Sequence, residues 1–67
     1  MSFRVLFIAY DKETFRFLGF NKKKRKYYWE KIDYRAFAFR SERRALKKAV
    51  KHLGTHDAEQ RIVAVDT

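Results

Sequence analysis

The residues with most to offer chemically are cations. Five stand in unbroken succession, Lys22, Lys23, Lys24, Arg25 and Lys26, in the stretch "NKKKRK". Four more, Arg44, Lys47, Lys48 and Lys51, recur at the spacing that gathers side chains on one face of a helix. The run repels itself, so it reads as a solvated loop or strand end. The helix face holds no acid to pair at i,i+4, so its repulsion stands unless a polyanion relieves it. Each group also has a plain structural reading. Charged residues normally occupy exposed helix faces, and a lysine-rich loop beside aromatic strands blocks aggregation. Unbalanced, clustered cations are nonetheless the electrostatic footprint of phosphate binding, and all nine are candidate nucleic-acid contacts.

Other chemistry is thinly represented. The chain has no Cys and only two Gly, so it offers no thiolate site and no glycine-rich phosphate cradle. No Ser, His and Asp combination is supported by its context. His52 and His56 lie four apart with Asp57 alongside, a spacing that a metal could use on a helix. Gly54 falls between them and is expected to end the helix there. The reading is of a protein with no catalytic residues, metal or cofactor: not an enzyme, but a binder.

Length and composition bound the rest. Sixty-seven residues make one domain, 1–67, and a chain this short buries only about 60% of its unfolded surface. With no disulfide to staple it, it carries seven Phe, four Tyr and one Trp, whose packing must substitute. The net charge of +9 points to nucleic acid, DNA or RNA, or to an acidic protein surface. A hydrophobic content of 46% is too high for a disordered basic tail. No apolar run reaches the length of a membrane span, and the N-terminus lacks a signal-peptide pattern. A cytoplasmic protein is expected, with no membrane partner. The aromatic content exceeds what one helix can cover, which leaves a homodimer open.

These residues need elements to position them. "FRVLFIAY" (Phe3 to Tyr10) is apolar on both faces, the mark of a central strand covered on both sides. "DKET" supplies a turn with Asp11 bonding its backbone, and "FRFLGF" (Phe15 to Phe20) closes a hairpin over residues 3–20. After the cationic run, "YYWEKI" (Tyr27 to Ile32) resumes strand character, and "DYR" is a bulge or short turn. "RAFAFRS" (Arg35 to Ser41) reads as an aromatic strand running directly into a helix. Ser41 is the expected N-cap and Glu42 suits the first turn. From there Ala45, Leu46, Ala49, Val50 and Leu53 share one face, and Gly54 is the expected C-cap. "RIVAVD" (Arg61 to Asp66) is a final strand. The prediction is an α+β domain, β-β-β-α-β, with a mostly antiparallel sheet of three to four strands and one helix packed on it.

Two resemblances follow from these residues. Residues 35–39 resemble part of the RNA-recognition-motif signature, which implies base stacking by Phe37 and Phe39, with Phe7 a third candidate. The sequence departs from that family: Ala36 replaces the usual Gly, and residues 11–14 leave no room for the family's first helix. The competing reading makes all three Phe core residues. "KYYWEKIDYRAFAFRSERRALKKAVKHL", followed by "RIVAVD", resembles small proteins of uncharacterised function encoded by bacteriophages. Ala36, Phe39 and Ser41 would form their strand-to-helix corner and Ala45 and Ala49 their helix. More faintly, "VLFIAY", "ALKKAV" and "VAVD" resemble an antitoxin family of T-even phages. That likeness implies an accessory protein, in the host cytoplasm, that binds and inhibits or redirects a host or viral protein.

Overall fold

A computed structural model describes residues 5–66. Four strands form one antiparallel sheet in the order β3-β2-β1-β4: β1 (Phe7–Asp11), β2 (Arg16–Asn21), β3 (Lys26–Glu30) and β4 (Ile62–Asp66). Helix α1 (Glu42–Leu53) packs across β1 and β4, and a single turn of helix, α2 (Ala58–Arg61), leads into β4. The α+β class is as expected. Residues 3 and 4 of the expected first strand lie outside the described residues, and Val5 and Leu6 precede β1.

Both hairpin turns are built alike. The Asp11 carboxylate accepts from the Glu13 N–H and the Thr14 hydroxyl, and Asn21 Oδ1 accepts from the Lys23 and Lys24 N–H groups. Each turn closes on a residue in the left-handed region, Phe15 at φ 59° and Arg25 at φ 53°. An L-residue there is strained by Cβ crowding, by about 1–2 kcal/mol. Phe15 is 71% exposed and gives little back by packing. Phe15→Gly should therefore raise stability by roughly 0.5 kcal/mol, the relief being partly offset by the extra freedom of Gly in the unfolded chain. A urea midpoint that falls would contradict this account.

The aromatic segment corrects one expectation. "RAFAFRS" is not a strand of the sheet: residues 33–35 form a 3-10 turn, and 36–41 run extended with one isolated bridge, Phe7 to Phe39. The reason lies in β1 and β2, which pair only at Tyr10 with Phe17 and Asp11 with Arg16. Beyond those pairs the segment occupies the fork. The Phe39 N–H donates to the Phe7 carbonyl and the Phe7 N–H to that of Phe39, both at 2.7 Å, and the Phe37 N–H donates to the Leu18 carbonyl at 2.9 Å. Alternating aromatics give a strand-like pattern because the segment is indeed extended. Its neighbours leave space for single bonds only.

The core lies between α1 and one sheet face. Ala9, Leu18, Phe39, Ala45, Ala49 and Ile62 are buried there, with Phe7, Phe37, Tyr27 and Trp29 packed around them. The Ala45/Ala49 row lets the helix backbone approach the sheet closely. Ser41 caps α1 by accepting from the Arg44 N–H, and Gly54 ends it at φ 70°, as expected. Coverage of β1 differs from expectation. Among the described residues α1 covers one face only, and no second layer covers the other.

Candidate nucleic-acid interface

Helix α1 presents its cations in two rows. Arg43, Lys47 and Lys51 stand at successive i,i+4 positions, and Arg44 and Lys48 form the row beside them, which His52 continues. All five cations and His52 are exposed. Arg44, Lys47, Lys48 and Lys51 together line one shallow depression, so the structure brings these four expected residues into a single patch. Arg43 belongs with them, although it is not one of the contacts expected from sequence. Its signal is present there, since it lies four residues before Lys47.

The two margins of the patch differ in character. On one side Lys48, Lys51 and His52 share a depression with Tyr27 of β3. The His52 ring centroid lies 6.3 Å from that of Tyr27 and 5.7 Å from that of Trp29. On the other side Arg43, Lys47 and Lys51 rim a groove floored by Leu46, Val50 and Ile62, with Glu59 of α2 also on its edge.

Lys22, Lys23, Lys24 and Arg25 occupy the β2–β3 turn, with Lys26 opening β3. They share none of the depressions that the helix cations line. The two groups meet only through sequence, Lys26 being followed by Tyr27 at the helix patch's margin. The turn is held in shape by the Asn21 side chain, so its cations project from a fixed backbone.

Nothing acidic neutralises either group. Among the described residues every ion pair within 4.0 Å involves Arg61, which binds Asp11 at 2.7 Å, Glu13 at 3.1 Å and Asp57 at 3.9 Å. The like-charged pairs Arg43–Lys47, Lys47–Lys51 and Arg44–Lys48 each work against the helix by roughly 0.2–0.5 kcal/mol at low salt. Only Lys51 and His52 have a local return, since cations in the last turn complement the helix dipole.

The sequence marks Asp11 as a turn residue. It is that and more: its carboxylate, 1% exposed, takes two bonds from the Arg61 guanidinium, 3.3 Å from Nε and 2.7 Å from Nη2. Burial pushes its pKa up. Hydrogen bonds from Arg61, the Glu13 N–H and Thr14, together with the Arg61 charge, outweigh burial and hold it below the usual value. Arg61 is held above its ordinary value, first by the bond to Asp11. The Thr55 hydroxyl is the main cause of a lowered Asp57. This network fastens the β1–β2 turn to α2, and it removes three of the eight acids from any part in neutralising α1.

Phe39 is buried, and Phe37 packs against it with ring centroids 4.8 Å apart and against Phe20 at 5.6 Å. Tyr27 stacks on Phe39 at 6.3 Å. Phe7 is half-buried against the same cluster. All three Phe are thus committed to the core side of the sheet, and the base-stacking assignment for Phe37 and Phe39 is replaced by a core role. Exposing them would remove much of what the helix packs on.

His52 and His56 fall on opposite sides of the Gly54 cap, His56 in the loop before α2. Among the described residues no three His, Cys, Asp or Glu side chains converge as a metal site would need. None of the described helices is long and apolar enough to cross a membrane. The fold and surface thus define a small α+β domain with a strongly cationic helix face. No protein-family model matches the chain, and neither a curated protein nor a solved structure matches it.

Proposed function

We propose that the protein binds nucleic acid through phosphate contacts, largely without regard to sequence. Arg44, Lys47, Lys48 and Lys51, joined by Arg43, grip the backbone, and Lys22 to Lys26 add a second point of contact from the β2–β3 turn. The observation that carries this reading is the helix patch itself. Five cations crowd two adjacent rows with no carboxylate within 4.0 Å, an arrangement unfavourable to the isolated helix and favourable beside a polyanion. Exposed lysines and arginines with few base-reading groups beside them recognise backbone rather than sequence.

The test is fluorescence anisotropy of labelled single-stranded RNA, single-stranded DNA and duplex DNA, titrated across a range of salt. About six phosphate contacts should give a steep decline, on the order of 10³-fold between low and physiological ionic strength. Scrambling the sequence should change affinity little. No binding at low salt would remove this reading.

A second reading rests on the other margin of the patch. The groove between α1, α2 and β4 has an apolar floor, Leu46, Val50 and Ile62, inside a cationic rim. That combination suits an acidic segment of a protein that also brings apolar side chains, as an accessory protein blocking or redirecting its partner would need. It predicts weak binding to bare DNA and RNA, and a partner that no longer binds after Leu46→Lys or after charge reversal.

A further inference from the structure

The face of the sheet turned away from α1 is made of large apolar side chains. Strand alternation and register place Ile8 and Tyr10 of β1, Phe17 of β2, Tyr28 of β3 and Val63 and Val65 of β4 on it. The Tyr10 and Phe17 rings lie 4.9 Å apart. Tyr28 lies across Gly19, so closely that a Cβ there would sit 2.8 Å from its ring. The face is therefore ordered by its own packing. It is also open: Tyr28 is 37% exposed, Val65 39%, and Tyr34, at its margin in the 3-10 turn, 78%.

Meanwhile the covered side is poor in bulk. Among the described residues eight hydrophobic side chains are buried, four of them Ala, and Leu18 is the largest that is fully buried. A 67-residue chain without disulfides has little stability to spare. Leaving this many aromatics in water forgoes burial that such a chain needs, since each offers roughly 150–250 Å².

We propose that a second copy of this chain covers this face, two sheets packing face to face with the α1 helices outermost. Charge favours this occupant over nucleic acid. Asp33 and Asp66 line the depression formed by Ile8, Phe17, Tyr34 and Val65, and Glu30 stands opposite Phe17 in the register. These carboxylates repel phosphate. For a second copy the same margin is self-complementary, because Lys26 and Arg35 also border it and can face a partner's acids. Size agrees. The molecule measures 41 × 28 × 18 Å. Its broad face gives an outline of about 1,100 Å², against the roughly 800 Å² per partner that a stable interface buries. Apolar centre and polar margin match the usual anatomy of such a contact.

The arrangement has a consequence for the cations. Two sheets back to back put the two α1 patches on opposite outer faces, where their mutual repulsion is least. The dimer would present two separate phosphate-binding surfaces, able to bridge two nucleic-acid segments. The dimer itself does not rest on nucleic-acid binding.

Sedimentation equilibrium of the full chain across micromolar concentrations, at low and high salt, tests it. The expected result is a doubled mass whose formation strengthens with salt, because screening relieves repulsion between two +9 chains. Val65→Glu and, separately, Tyr34→Glu should each raise the dissociation constant at least about tenfold by placing a charge in the contact. Tyr34 lies outside the sheet and is exposed, so its variant keeps the monomer folded, which circular dichroism checks. A monomer at every concentration overturns the proposal, as does a dimer indifferent to both substitutions or weakened by salt. An oligonucleotide that binds monomeric protein, and fails to bind after Tyr34→Glu, would overturn it too by assigning the face to nucleic acid. Charge reversal on α1 should leave the mass unchanged, which separates this outcome from failure of the phosphate-binding reading.

Discussion

Changing Lys47, Lys48 and Lys51 together to Glu should weaken binding to DNA and RNA by on the order of 10²–10³-fold near physiological salt. Each substitution alters the charge by two, so the three take the formal net charge from +9 to +3. All three side chains are exposed and lie opposite the buried Ala45/Ala49 row, so the fold should persist with intact far-ultraviolet dichroism. A second readout is the slope of log affinity against log salt, which should fall by about three, one for each phosphate no longer neutralised. The corresponding change at Lys22, Lys23 and Lys24 removes as much charge from a site outside the helix patch. If net charge alone governed binding, the two triple variants would behave alike. A local patch predicts the larger effect from α1. Equal effects would replace the patch by a diffuse electrostatic attraction.

The largest expected effect on stability belongs to Asp11. Removing its side chain in Asp11→Ala strips the turn of two bonds and leaves the Arg61 guanidinium without its shortest contact. Breaking a buried, hydrogen-bonded charge pair costs about 3 kcal/mol, against a total of roughly 3–10 kcal/mol for a chain of this length. Urea titration should show a variant mostly unfolded or close to it.

The same carboxylate gives the protein an acid limit. Its pKa in the folded chain lies below the unfolded value, so the stability it contributes is complete above about pH 4. That contribution disappears as pH falls through the folded value. Asp57 acts in the same direction from a more exposed position. The midpoint of urea unfolding should therefore decline as pH falls below about 4, and Asp11→Asn should flatten that decline. An unchanged slope in Asp11→Asn would mean that other carboxylates set the acid limit.

Much of α1 is open to reading from residues alone. Ser41, the Ala45/Leu46/Ala49/Val50/Leu53 periodicity and Gly54 are local signals, each acting within a turn or two, and the structure bears out all three. The same holds for the two Asx-type turns and for the alternation of β2 and β3. The cationic stripe is equally local, because side chains three and four apart on a helix must be neighbours.

What the sequence by itself determined about this protein is its composition, its charge and the elements that nearest neighbours specify. Tertiary structure alone decided three things. It decided that β1 and β2 part after two pairs, so that the Phe37–Phe39 segment became a wedge in the fork and not a strand. It decided that Asp11 and Arg61, fifty residues apart, form one ion pair. And it decided which aromatics are core: Phe39 and Tyr27 face α1, while Tyr10, Phe17 and Tyr28 face away from it. The physical reason is common to all three. A strand's alternation states that two faces differ, but which face meets the helix depends on register with distant strands, and a one-residue slip exchanges them.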